Sequence, residues 1–277
     1  EGHRPQLLLR GIYYVQGGRS VSGVQFHSCN EWSYRMLFIK FGKKEHLEQL
    51  RNGIVHFSTL KTFQKDPTSF RGDKMEGRLY IDPKQPMLVN GLDISSFMKE
   101  CVISYETNCP EFSFSASILS RKNCHKCTDG LYTVNQEYLN EMRQFGECFL
   151  TINAFELIEA LRTEFSNTGS GFEYHPVVYI NKTNYSKIQE YFNNLSSKNR
   201  LTGHLFLKDD TNSYRIQNEW RMVLFDFNNH YPADNNGVNV KTCYLTEMPV
   251  LDTESLATLR CSEEYLFDEK ENSHANT

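Results

Sequence analysis

The sequence lacks any apolar run near the roughly 18 residues that a helix needs to span a bilayer. Its most apolar stretches, such as Pro176, Val177, Val178, Tyr179 and Ile180, have only the length of a strand, so no membrane association is expected. It also lacks an excess of one charge: 30 Lys and Arg stand against 34 Asp and Glu, a formal net charge of -4, with the basic residues scattered. That balance argues against long nucleic acid as an electrostatic partner, although a local basic groove stays open. Walker, G-x-G-x-x-G, G-x-S-x-G and H-E-x-x-H signatures are all missing, which excludes the most readily recognised enzyme classes. The opening residues Glu1, Gly2, His3, Arg4 and Pro5 show no charged segment with an apolar core behind it, so no targeting address is read there.

What is present is the composition of a folded protein: 277 residues, 39% hydrophobic, 13% aromatic and 23% charged. That length supports one large domain or two small ones. Eight cysteines permit disulfides, yet most sit in apolar segments such as Glu147, Cys148, Phe149 and Leu150. A reduced, cytoplasmic protein with buried thiols is the expectation. Cys124 and Cys127 form a C-x-x-C with Cys109 upstream, but no second pair completes four zinc ligands.

Along the chain, residues 1–35 read as an irregular or short-strand lead-in, 36–260 as a single mixed α+β domain with an insertion around 80–145, and 261–277 as a frayed tail. Residues 36–41 predict a buried strand, 43–52 a short helix with apolar residues only at Leu47 and Leu50, Gly53 its C-cap, and 54–58 a second strand. Residues 62–77 are polar and punctuated by glycine, and 79–135 alternate short apolar runs with turn residues, as antiparallel strands do. A short helix at 138–143, a strand at 148–152, a helix at 154–164 capped by Asn153 and a strand at 177–180 follow. Further on, 185–200 predict a helix, 204–207 a short strand and 221–227 a hydrophobic strand. The fold class expected is α+β, with mixed, mainly antiparallel sheets and a few short helices.

Gln217, Glu219 and Arg221 alternate at the start of that last apolar segment, and a period of two puts them on one face of a strand. Trp220 and Met222 would pack into the core, leaving the polar row to face a groove or solvent. The plain reading is a Glu–Arg pair on the wet face of an edge strand; the functional one is a working carboxylate. Lys208, Tyr214 and Arg215 lie just upstream and could complete a binding surface, although Lys208, Asp209 and Asp210 also read as a turn. Lys40, Ser58 and Thr59 end the first two strands and could form an opposite wall. Lys40 could equally snorkel and Ser58 cap the next segment. His56 reads as a structural histidine. In the loop Arg71, Gly72, Asp73, Lys74, Met75, Glu76 and Gly77, the carboxylates could orient an arginine or hold a ribose hydroxyl.

The unit over 36–63, with its strand, short helix ending at Leu50, Arg51, Asn52 and Gly53, and strand reaching Phe57, Ser58 and Thr59, resembles the opening of the ADP-ribosyltransferase-like fold. Gln217, Asn218 and Glu219 resemble its Q-x-E element. The resemblance implies that Glu219 holds the nicotinamide ribose of NAD, that Gln217 acts on the acceptor side, and that Ser58 and Thr59 partly match an S-T-S motif. Lys40 stands near the position where the family has Arg or His, and lysine lacks an arginine's planar fork. The layout over about 36–250 also resembles uncharacterised bacterial proteins associated with phage defence or abortive infection.

The leading expectation is therefore an NAD-dependent ADP-ribosyltransferase-like effector, toxin or phage-defence protein, acting on a protein or nucleic-acid acceptor, with an antitoxin or a phage protein as a candidate partner. Glu219 and Gln217 would be catalytic; Lys40, Ser58, Thr59, Arg71, Asp73, Tyr214 and Arg221 would bind NAD. One alternative is a non-catalytic sensor module that binds a nucleotide or a protein. Another is a metal-dependent nuclease built on Asp73, Glu76 and Glu219.

Overall fold

The computed structural model describes residues 12–16, 19–23, 36–68, 72–81, 88–89, 92–93, 101–104, 110–182, 184–196, 202–210, 212–244 and 246–267. Its main elements are β1 (Leu37–Gly42), α1 (Lys44–Arg51), β2 (Ile54–Thr59), α2 (Leu60–Lys65), β3 (Glu111–Ile118), β4 (Cys124–Lys126), β5 (Tyr132–Val134), α3 (Gln136–Met142), β6 (Cys148–Asn153), α4 (Ala154–Thr168), β7 (Gly171–Pro176), β8 (Val178–Ile180), α5 (Tyr185–Asn194), β9 (Leu207–Asp209), β10 (Glu219–Phe225), β11 (Gly237–Lys241) and β12 (Leu251–Asp252). The architecture is mixed, with mainly antiparallel sheets and few helices. No helix among the described residues is long and apolar enough to cross a membrane. The chain divides into two compact units, one from 1–53, 117–160 and 243–271, the other from 54–116, 161–242 and 272–277.

In the first unit β6 runs antiparallel to β1 over six residue pairs and carries β12 on its other edge, while the end of β3 joins β1 through Phe38–Ile118 and Ile39–Ser117. β6 is buried along its whole length, and Leu37, Phe38 and Ile39 of β1 are buried as their unbroken apolar run implies. α1 buries only Leu47 and Leu50 and ends at Gly53, whose φ of 81° lies where a side chain would clash. Tyr138 of α3 is enclosed and donates its hydroxyl to Ser117 Oγ at 2.6 Å. Asn153 Oδ1 accepts from the Glu156 amide, the expected cap of α4. Residues 12–16 and 19–23 of the lead-in form a hairpin whose first strand pairs with 259–260. Residues 261–267, expected in the frayed tail, are held instead: Cys261 exchanges both backbone hydrogen bonds with Tyr132, and Tyr265 is buried. Residues 268–277 lie outside the described residues.

One close approach fixes the corner before β6. A methyl group on Gly146 would sit 2.5 Å from the Gly42 amide nitrogen and 2.6 Å from its Cα. Both neighbours are backbone, so neither can swing aside. Gly146→Ala is expected to cost about 1–3 kcal/mol of stability, the range of core overpacking, read as a lower denaturant midpoint with an unchanged slope. A midpoint equal to wild type would show that the corner relaxes freely.

The second unit has the strand order β7, β10, β3, β2, β11. β7 pairs with β10 over six residues, β3 with β2 through Ser58–Ser113 and Thr59–Phe112, and β2 with β11 over five. The stretch 80–145 was expected as an insertion, yet residues 111–116 lie between β10 and β2 and belong to this sheet. β8 and β9 form a separate parallel pair. Phe57, Phe114 and Phe165 meet in the core, Phe57 lying 5.9 Å from Phe165 edge-on and 6.0 Å from Phe114. Residues 204–207, expected as a strand, are mostly a 3-10 turn over Gly203–Phe206, and the strand begins at Leu207. A Gly203 side chain would collide with Leu195 and Phe192, so the bare backbone lets the turn nest against α5 and its end. Thr59, not Ser58, caps α2, accepting from the Thr62 amide at 3.3 Å.

Candidate functional site

β10 is an interior strand flanked by β7 and β3, so the plain reading of a wet edge does not hold. Its even residues, among them Met222 and Leu224, pack one face. Its odd residues run Glu219, Arg221, Val223 and Phe225, and the last two pack with Leu205 and Phe206 of the 3-10 turn. The turn covers the odd face, so Glu219 and Arg221 are buried at 6% and 2% exposure rather than turned to a groove or to solvent. Buried charges demand partners, and the second unit supplies them.

Glu219 Oε1 accepts from Arg221 Nη2 at 2.8 Å, from Arg221 Nε at 3.0 Å and from the Ser115 hydroxyl at 2.5 Å. Its Oε2 lies 2.6 Å from Lys208 Nζ. Arg221 reaches past Glu219 to donate through Nη1 to Glu76 Oε1 and to the Leu205 carbonyl. Two carboxylates are thus matched by two cations. Burial alone would push the Glu219 carboxyl up, but Arg221 and Lys208, with the hydrogen bonds from Lys208 and Ser115, outweigh it and hold the group well below the usual carboxylate range. Burial opposes charge on Arg221 as well, and Glu219 and Glu76 overcome it.

The parallel pair β8–β9 explains how two of these contacts arise together. Tyr179 and Lys208 are register partners. The Tyr179 hydroxyl accepts from the Glu219 amide at 3.0 Å while Lys208 meets the Glu219 carboxylate, so the two members of one rung hold the backbone and the side chain of one residue. Burial, then the negative charge of Glu219, raises the Tyr179 phenol.

Gln217 is not on the strand. It lies in a turn whose amides return to Tyr214 and Arg215, and Asn218 takes φ 45°, a left-handed conformation that asparagine tolerates better than most residues. The Gln217 side chain still joins the cluster, its Oε1 accepting from Lys208 Nζ at 3.3 Å. Lys208 Nζ stands 5.2 Å above the Tyr214 ring, and the Tyr214 hydroxyl donates to the Gly72 carbonyl at 2.7 Å. Burial, with Asp73 and Glu76 nearby, pushes that phenol up to about 12. Asp73 pairs with the buried Lys182 at 3.2 Å, and the same ammonium donates to the Met75 carbonyl at 3.0 Å.

Of the residues expected to work together, Glu219, Gln217, Arg221 and Tyr214 converge, and Asp73 joins through the loop that Tyr214 and Lys182 fasten. Ser58 and Thr59 are committed elsewhere: Ser58 pairs with Ser113 and Gly237 in the sheet, and Thr59 caps α2. Lys40 belongs to β1 of the first unit, and Arg71 lies outside the described residues. Ser115, Tyr179 and Lys182 were not foreseen. The alternation Phe112, Ser113, Phe114, Ser115 could have flagged Ser115, since a small hydroxyl recurs on an otherwise apolar strand. His56 is exposed and bonds Asn239 across the β2–β11 ladder.

The carboxylates proposed for a nuclease are spoken for: Asp73 by Lys182, Glu76 by Arg221 and Glu219 by both Arg221 and Lys208. Among the described residues no group of three or more His, Cys, Asp or Glu could hold a metal ion. Cys124 is buried, its thiol pushed up by that burial and then by Cys261, which opposes the thiolate that zinc needs. Cys109 lies outside the described residues. Comparison with protein-family models, with curated proteins and with solved structures found no match to this chain.

Proposed function

We propose that the protein transfers ADP-ribose from NAD to a protein or nucleic-acid acceptor, with Glu219 holding the nicotinamide ribose and Gln217 on the acceptor side. The observation that carries this reading is a buried carboxylate clamped in its ionised form by Arg221, Lys208 and Ser115. Loss of nicotinamide leaves positive charge on the ribose, and a fixed anion of low basicity suits that charge better than it suits proton transfer. For a ribose hydroxyl to reach Glu219, one partner has to give way. Ser115 is the neutral partner and the least costly to displace. Lys208 and Arg221 are the cations at the carboxylate and meet NAD in place of Lys40, with Arg221 on its phosphate. A toxin or phage-defence role rests on the sequence resemblance alone.

The test is to incubate the full chain with isotopically labelled NAD and cell lysate, following free nicotinamide and label on protein and nucleic acid. Glu219→Gln is expected to lower nicotinamide release at least about 100-fold, the scale of a lost transition-state contact, while thermal unfolding confirms that the variant is folded. Equal release from both proteins would end the proposal.

A second reading, a non-catalytic nucleotide- or protein-binding module, is favoured by a separate observation: both Glu219 oxygens already have partners and the charges balance. A nucleotide that raises the unfolding temperature without being consumed is its expected signature.

A further inference from the structure

Transfer from NAD to an N–H or O–H acceptor releases a proton, and the residues resembling the family's element cannot take it. Gln217 has an amide, which is not a base. Glu219 is held ionised by two cations, while Asp73 and Glu76 are engaged with Lys182 and Arg221. The lysines and the arginine of the cluster are engaged as the cations of these pairs, and the phenols of Tyr179 and Tyr214 are pushed up.

We propose that His175 is the base that accepts the acceptor's proton, an inference that rests on the transferase reading above. In the β7–β10 ladder His175 lies directly opposite Arg221. Residues so paired project from the same face with Cβ atoms roughly 4.5–5.5 Å apart, and a diagonal neighbour, here Glu219, lies roughly 7–8 Å away. The imidazole packs edge-on against Phe206 at 4.9 Å. Phe206 adjoins Leu205, whose carbonyl accepts from Arg221, so strand register and ring contact independently put His175 beside the charged centre. Unlike Glu219, Arg221 and Phe206 it is only half-buried, which leaves it open to an incoming acceptor, and among the described residues neither ring nitrogen is engaged in a hydrogen bond. The charged or titratable groups on the elements packed against it are Arg221 and Glu219 on β10, Glu173 and Tyr174 on its own strand, His204 on the turn that carries Phe206, and Arg162 of α4, which lies over the Tyr174 ring. Burial lowers the histidine below its usual 6.5, against the opposing pull of Glu173, and the free base therefore predominates at neutral pH.

In the step, the acceptor's lone pair forms a bond to the anomeric carbon of the nicotinamide ribose. The bond from that carbon to nicotinamide breaks, its electron pair returning to the ring nitrogen, and neutral nicotinamide leaves. The acceptor's proton passes to His175 and from there to water.

The experiment compares the full chain with His175→Gln and His175→Ala in the labelled-NAD assay across pH 5–8. The ratio of label transferred to nicotinamide released is expected to fall about 100-fold in both variants, within the range of a lost general base. Wild-type transfer should rise with pH through a midpoint below 6.5 and then level off; the variants should lose that limb, and added imidazole should restore part of the transfer in His175→Ala. Variants that keep both the ratio and the limb overturn the assignment of His175. A wild-type protein that releases no nicotinamide overturns the transferase reading and this inference with it, a separate result.

Discussion

Arg221→Met is expected to lower the free energy of unfolding by about 3–5 kcal/mol, the range for removing one partner of a buried ion pair. Methionine fills much of the same volume, so little of the loss comes from a cavity. What is lost is the bridge. Arg221 joins Glu76 and Glu219 through opposite sides of one guanidinium and also satisfies the Leu205 carbonyl. Without it Glu76 is left buried with no cation, and Glu219 keeps only Lys208. Urea unfolding at pH 7 measures the effect, with the slope checked against wild type. A loss under about 1 kcal/mol would mean that water enters and solvates the carboxylates, placing the pair among ordinary surface bridges.

A second large effect is expected on acidification. The folded carboxyl of Glu219 is held below its ordinary 4.5, so the unfolded chain binds a proton at a higher pH than the folded one does. The stabilisation is fully present above the ordinary carboxyl range and is lost as pH falls toward the folded value. Unfolding free energy should therefore decline below about pH 5, and Glu219→Gln, already less stable at pH 7, should decline less steeply. Parallel curves for the two proteins would show that this carboxylate is not what couples stability to pH.

The local grammar of the chain was legible. The apolar run from Leu37 to Ile39, the two buried leucines of α1, the glycine that ends it and the asparagine that starts α4 each act within a few residues, and short-range sterics and hydrogen bonding decide them. The alternation at Glu219 and Arg221 was legible as well, but its setting was not. A strand pattern cannot say whether a polar face meets water or a covering turn, and here Leu205 and Phe206, contributed from another part of the chain, close it over. The run Leu205, Phe206 and Leu207 reads as strand, yet most of it winds into a 3-10 turn that nests closely through Gly203. Lys208 looked like part of a solvated turn because it precedes Asp209 and Asp210; only its pairing beside Tyr179 aims it at Glu219. Ser58 and Thr59 were read for a motif, whereas the nearest demand on Thr59, an uncapped helix start, claimed its hydroxyl first.

The contacts that complete the charged centre join residues far apart in sequence: 104 positions separate Ser115 from Glu219, 109 separate Asp73 from Lys182, and 145 separate Glu76 from Arg221. Closing such loops costs entropy before any of the pairs gains its attraction. Charged groups also lose hydration as their surroundings pack, so the centre is expected to close late in folding. A mismatched charge there is then expected to speed the opening of the native state and to leave its formation rate nearly unchanged, which the two arms of a denaturant-dependent kinetic series would read.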